Sequence, residues 1–312
     1  MRYIMMGAGG IGGFFGAKLA AAGDDVWFVA RGKHLIAMKE HGLTVKSTGG
    51  NFTIPPEKVT GDPASIGSAD VVLFCVKAYD TEVAARQISP ILNDNSIVLS
   101  LQNGVDNVEK IRQQLNHGLV YAGAAYISVR ITAPGEITES GGFQRIVFGP
   151  TDGPVTSRAN DIHASFQRAG IKCDLQEDIN KELWRKFIFI ASMGALTALS
   201  RLTHGEILSS PRTLSLTFDA MREIQAIAWK LGVDVEPVDE TKVLEGLKRF
   251  DKDTRSSMYF DLASGKQMEI EALNGTVVRF GEQLGIPTPI HRVIYASLLP
   301  HHLKHVQQRR SM

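Results

Sequence analysis

The sequence predicts an α/β chain in two parts: a doubly wound, mainly parallel sheet domain over residues 1–176, then an all-helical domain over residues 177–312. Three observations predict it. Short apolar runs alternate with helical stretches through the first half. A glycine-rich turn joins the first apolar run to the first helix. From about Gln176 onward the strand signals fade and amphipathic periods take over, with no Pro/Ser-rich linker between the halves.

The opening stretch, MRYIMMGAGGIGGFFGAKLAAAGDDVWFVAR, has two competing readings. One is a secretory signal, with an early basic residue, an apolar run and small residues. That reading needs a continuous apolar helix, and five glycines between Gly7 and Gly13 interrupt it. The other accounts for every segment. Residues 3–6 form a buried strand, and Gly7-Ala8-Gly9-Gly10-Ile11-Gly12 is the turn. Residues 13–22 form a helix that stops at Gly23, and residues 26–30 form a second strand. This is a complete βαβ unit of the Rossmann type. Gly7 permits the tight turn, Gly9 lets backbone amides approach a pyrophosphate, and Gly12 lets the helix pack closely on the strand. Unpaired amides and the helix dipole favour an anion there.

The end of the second strand selects the dinucleotide. An NAD site usually carries Asp or Glu at that point, on the ribose 2′-hydroxyl. This chain has Arg31, followed by Lys33, and no carboxylate at the strand end. A guanidinium suits a 2′-phosphate, so the expected cofactor is NADP(H).

Further strands are predicted at residues 71–76, 97–101, 120–125, 146–148 and 171–175, with helices at 81–92, 105–114 and 157–169. Ligand loops in such sheets follow the carboxyl ends of strands. Lys77 in CVKAYD and Asn103 in LQNG stand at two such ends. In the second half, helical periods cover residues 179–199, 212–231, 238–248 and 269–284.

Bulk properties exclude several classes of function. Lys plus Arg number 34 against 33 Asp plus Glu, a net charge of +1, which gives no basis for binding nucleic acid or an anionic membrane surface. The longest apolar stretch, 187–199, is shorter than the roughly 20 residues of a membrane span and is interrupted by Ser192, Gly194 and Thr197. Two cysteines, Cys75 and Cys173, make no metal spacing or disulfide framework, so a reduced, cytoplasmic setting is expected. No metal motif appears, and the nine histidines, HHLKH near the end among them, read as solvated positions.

Chemistry is expected in the helical half. Lys186 lies in a helix that is apolar nearly all round, where desolvation would lower its pKa into the range useful for proton transfer. A lysine that snorkels to the surface is the alternative. Arg185 beside it reads as a surface charge. Ser256, Ser257, Asp261 and Glu269 gather in one stretch, consistent either with a site or with simple helix capping.

Together these residues resemble the ketopantoate reductase (2-dehydropantoate 2-reductase) family. The resemblance runs from GAGGIG to GIPTP, and its most specific parts are CVKAYD, LQNG, ELWRKF and SSMYFDLASGKQMEIEALNG, in that order. It implies NADPH-dependent reduction of a small 2-keto acid, ketopantoate first, in pantothenate biosynthesis. It implies that Gly7, Ala8, Gly9, Gly10, Ile11, Gly12, Arg31 and Lys77 bind the cofactor. Asn103 would lie near nicotinamide and substrate, Lys186 would be the catalytic lysine, Ser257 would bind substrate, and Glu269 would help bind cofactor and organise the site. One departure stands out. The family has asparagines four and eight residues beyond the lysine, and this chain has Ile190 and Gly194. A reductase of a different, less polar 2-keto acid is therefore an alternative, as is a non-catalytic NADP(H)-sensing protein. A 3-hydroxyacid or 6-phosphogluconate-type dehydrogenase would share the layout, but its pattern around the lysine is not found. The helical domain could pack as a homodimer.

Overall fold

Near-continuous apolar runs such as Tyr3-Ile4-Met5-Met6 are buried on both faces, as parallel strands covered by helices require. The computed structural model describes residues 1–248 and 251–310. In chain order the strands are β1 (Arg2–Met6), β2 (Asp25–Val29), β3 (Leu43–Lys46), β4 (Phe52–Ile54), β5 (Val59–Thr60) and β6 (Val71–Phe74). They continue with β7 (Ile97–Ser100), β8 (Leu119–Tyr126), β9 (Val129–Ala133), β10 (Glu136–Glu139), β11 (Arg145–Gly149) and β12 (Lys172–Leu175). Between them run α1 (Gly10–Ala21), α2 (Gly32–His41), α3 (Thr81–Ile88), α4 (Asn107–Arg112) and α5 (Ser157–Arg168).

The larger sheet has eight strands in the order β12-β11-β8-β7-β6-β1-β2-β5. Neighbours run parallel except β8 and β11, which are antiparallel. β1 is flanked by β2 and β6, so the loops after these three strands stand side by side.

A second sheet, β4-β3-β10-β9, was not expected from the sequence. Its strands are short, and its central pair joins Thr44 to Glu136, a pairing that no local pattern announces. It packs on the outer side of α1. A Cβ at Gly13 would come within 2.1 Å of Ile137 in β10, while one at Gly16 would meet Met5 in β1 at 2.6 Å. Helix α1 is thus clamped between two sheets, and its small residues let both approach.

The second half is helical: α6 (Asn180–Ser200), α7 (His204–Ser209), α8 (Pro211–Lys230), α9 (Glu240–Leu247), α10 (Ser257–Ala263), a π-helical turn at Glu271–Gly275, α11 (Thr276–Leu284) and α12 (Pro289–Arg310). Among the described residues no helix is long and apolar enough to cross a membrane. The chain divides into two compact units, one of Met1–Gln102 with Asp106–Ile179, the other of Asn103–Val105 with Asn180–Met312. Each has its own apolar core, the first around Tyr3, Phe14, Phe28 and Phe148, the second around Trp184, Phe187, Ile224 and Met268.

The histidine reading needs correction. His204, His291 and His302 are buried rather than solvated. His291 donates from Nε2 to the Ala220 carbonyl (3.0 Å) and accepts at Nδ1 from Asn274 (2.9 Å). Burial pushes its pKa down to about 4, so it is a neutral core residue.

Candidate active site

β1 ends at Met6, and the chain turns at once. Gly7 has φ +98°, which glycine adopts without strain, and a Cβ there would sit 2.8 Å from the Val76 amide nitrogen. The Gly7 and Ala8 amides both donate to the Val29 carbonyl at the end of β2 (3.2 and 2.8 Å), which fixes the turn to its neighbouring strand. Gly12 permits close packing, since a Cβ would fall 2.4 Å from the Gly7 oxygen. Gly9 differs. Its φ of −78° suits any residue, and a Cβ there would meet no atom within 4 Å beyond its own chain neighbours. The protein itself does not need glycine at this point. The bare backbone leaves space beside the N-terminus of α1, where first-turn amides lack helical partners and the dipole favours an anion. A diphosphate fits this cradle.

His34 in α2 supports the same turn from below. Its Nε2–H donates to the Ala8 carbonyl (2.9 Å), and its Nδ1 accepts from the Gly135 amide (3.0 Å). Sequence reasoning missed this residue, because its partner turn belongs to the unforeseen sheet.

Arg31 caps the start of α2, directly after β2. Its guanidinium donates to the Asp80 carboxylate, and that pair pushes the Arg31 pKa up further. The sequence placed no carboxylate at this strand end. The structure brings one from the turn after β6. Lys77, partly buried, begins that same turn, and the Asp80 amide donates to the Lys77 carbonyl (2.8 Å). Burial pushes the Cys75 thiol well above its ordinary range, which disfavours the nucleophilic thiolate.

Gln102 is a second residue that sequence reasoning passed over. Its Nε2 donates to the Val76 carbonyl (3.0 Å) and to Thr81 Oγ1 (2.8 Å), and its Oε1 accepts from Ser100 (3.1 Å). It ties the turn carrying Lys77 to the loop that continues into Asn103.

The second unit holds Asn103, Lys186, Ser257 and Glu269. Lys186 projects from α6 and is half-buried as a residue. Desolvation pushes its pKa down to about 8, while Glu269, and then Glu182, pull the other way. Glu269 is buried just before the π-helical turn. That turn is pinned to α6 by Asn274, whose amide donates to the Ala191 carbonyl (3.0 Å) five residues beyond Lys186. The π-turn and the Asn274 anchor thus fix where Glu269 stands relative to α6. Arg185 is at the surface, paired with Glu182 and Glu236.

Ser256 is structural. It caps α10 by accepting from the Tyr259 amide (3.1 Å) and donates to the Gly194 carbonyl (2.7 Å). Ser257, the first residue of α10, is exposed. Ile190 packs partly against the apolar core. A Cβ at Gly194 would meet the Ser256 side chain at 3.5 Å, an ordinary contact. Among the described residues no group of three or more His, Cys, Asp or Glu side chains could hold a metal.

Comparison with known proteins identifies the family. The family model for ketopantoate reductase PanE/ApbA matches residues 3–153, and that for the ketopantoate reductase PanE/ApbA C terminal matches residues 178–301. A 2-dehydropantoate 2-reductase of Archaeoglobus fulgidus is 31% identical over 293 residues, covering 94% of this chain and 95% of its own. The crystal structure of a PanE/ApbA family ketopantoate reductase from Ralstonia eutropha JMP134 superposes with a TM-score of 0.89 at 33% identity, covering 98% of this chain and 99% of that one. D-Mandelate dehydrogenase, in its ternary structure with NADH and anilino(oxo)acetate, shares the fold at a TM-score of 0.88 and 20% identity, covering 98% of this chain and 99% of that one. The chain belongs to the ketopantoate reductase PanE/ApbA family and is an oxidoreductase that takes a nicotinamide cofactor.

Proposed function

We propose that the chain reduces a 2-keto acid with NADPH, with 2-dehydropantoate as the leading substrate and Lys186 as the proton donor. The observation that carries this reading is the placement of Lys186, a partly buried lysine on the largely apolar α6 whose charge is disfavoured by desolvation and favoured by the buried Glu269. When bound, the reduced nicotinamide supplies the hydride that adds to the keto carbon. The carbonyl oxygen gains negative charge as the hydride arrives, and it needs both stabilisation and a proton. Lys186 provides the positive charge at that oxygen and then donates a proton from Nζ, leaving a neutral amine and a hydroxy acid. Glu269 keeps enough positive character on the lysine for it to enter the reaction protonated. Asn103 and Ser257 would orient the substrate, and residues 7–12 with Arg31 and Lys77 would hold the dinucleotide. The test is oxidation of NADPH by the purified protein with 2-dehydropantoate and a panel of 2-keto acids. No turnover with any of them would remove the reductase reading.

Arg31→Ala is expected to raise the KM for NADPH about ten- to a hundredfold, the loss of a charge-assisted contact, and to leave NADH nearly unchanged. Equal losses for both cofactors, measured by initial rates, would show that Arg31 does not read the 2′-phosphate.

The substrate half is where this chain departs from its family. Stepping about 100° per residue, Ile190 and Gly194 lie within roughly 40–80° of Lys186 around α6. Isoleucine offers neither donor nor acceptor to a substrate hydroxyl, and a hydroxyl desolvated without a partner costs about 1–3 kcal/mol. Ile190→Asn is therefore expected to raise kcat/KM for 2-dehydropantoate about five- to a hundredfold over a keto acid of similar size lacking the hydroxyl. A wild-type protein that already favours 2-dehydropantoate strongly, undiminished by Ser257→Ala, would show that hydroxyl recognition was never lost.

A further inference from the structure

The Arg31–Asp80 pair is strung across the end of β1. Arg31 follows β2 and Asp80 lies in the turn after β6, and these strands flank β1, whose own continuation is the glycine turn. The pair is lopsided. The Asp80 side chain is 15% exposed and sheltered, while the Arg31 side chain is 65% exposed and open to a ligand. Asp80 also stands at the N-cap of α3, where aspartate normally accepts from a first-turn amide, yet its side chain makes no such capping bond. Its carboxylate meets Arg31.

We propose that Asp80 is a specificity-determining residue that holds Arg31 as a resident anion and so limits how strongly the site prefers a 2′-phosphorylated dinucleotide. The proposal rests on the reading of Arg31 as the group that meets the 2′-phosphate. A phosphate arriving there must take the guanidinium from Asp80 and then sit beside a carboxylate. A ribose 2′-hydroxyl meets neither cost. Selectivity is therefore the difference between two anions competing for one arginine, rather than the full value of an arginine–phosphate contact. Freed from Arg31, the carboxylate has the α3 cap as its alternative partner, which makes the exchange feasible without a buried, unpaired charge.

The test is calorimetric titration of the full-length protein with NADPH and with NADH, for wild type, Asp80→Asn, Asp80→Ser, Arg31→Gln and the Arg31→Gln/Asp80→Asn double variant. Both Asp80 variants keep a cap-competent side chain. Each is expected to bind NADPH about tenfold tighter, from the lost competitor and the lost like-charge repulsion, with NADH changed by less than about twofold. In the Arg31→Gln background the gain should shrink to about threefold or less, because the pair no longer exists to be broken. If Arg31→Gln weakens NADPH and NADH equally, the reading of Arg31 has failed. If Arg31→Gln weakens NADPH selectively but the Asp80 variants leave NADPH unchanged, weaken it, or tighten both cofactors alike, the proposal about Asp80 has failed. Loss of folded protein in both Asp80 variants would assign the pair to stability and overturn it as well.

Discussion

Lys186→Ala is expected to lower kcat by about 10²–10⁴-fold while NADPH affinity stays near wild type, because in the proposed mechanism the ammonium is needed only as charge develops on the substrate oxygen. The same residue sets the pH profile. With a pKa of about 8, the protonated fraction of the free enzyme falls as the pH rises through 8, so kcat/KM should decline about tenfold per unit well above that value. The stability consequence runs the other way. An unfolded lysine titrates near 10.4, so between about 8 and 10.4 the unfolded chain binds more protons than the folded one, and folding stability rises with pH. Below 8 the folded site carries a desolvation penalty for its charge. Lys186→Met removes that penalty, and its Tm at neutral pH is expected to equal or exceed that of wild type while its activity is lost. A Met variant that is both active and less stable, shown by stopped-flow rates and thermal unfolding, would return Lys186 to the role of a surface-seeking structural charge.

Local signals made most of the larger sheet and the helices α6 and α8 legible, and non-local ones stayed hidden. β1, α1 and β2 could be read because glycine spacing and apolar runs are properties of adjacent residues. The predicted helix over 179–199 corresponds to Asn180–Ser200 for the same reason. β3 and β10 are four residues each and meaningful only once paired with each other, so the second sheet had no local signature. α12 was missed because Pro300 and the run of histidines broke the expected pattern, although His302 turns inward. The same limit applies to the site. Arg31 and Lys186 could be singled out by residue type and neighbours. The partner of Arg31 could not, since Asp80 reaches it from the turn after another strand. Gln102 and Asn274 act through carbonyls far along the chain, and His34 through a turn of the hidden sheet. Their type alone marks none of them.

Gly9→Val is expected to weaken NADPH and NADH alike by about a hundredfold or more while leaving the Tm close to wild type. The argument turns on what surrounds the glycine. Apart from Gly9 itself and its chain neighbours, no protein atom lies within 4 Å of where a Cβ would be, and the backbone there has φ −78° and ψ −161°, which a β-branched residue adopts without strain. The only folding cost is a poorer helix N-cap, under about 1 kcal/mol. A diphosphate has no such freedom. In the proposed binding mode it approaches the amides at the start of α1, and two methyl groups in the cradle would hold it away. Losing even two hydrogen bonds to a charged group, at about 1.5–3 kcal/mol each, accounts for a hundredfold or more. Gly12→Val is the contrasting variant. Its Cβ would fall 2.4 Å from the Gly7 carbonyl oxygen, a backbone atom that cannot move without undoing the turn. That overpacking costs about 1–3 kcal/mol or more and should lower the Tm whether or not a cofactor is present. Fluorescence titration with both cofactors and thermal unfolding of both variants separate the two roles. A Gly9→Val protein that binds NADPH as wild type does would mean that the dinucleotide does not lie on this turn.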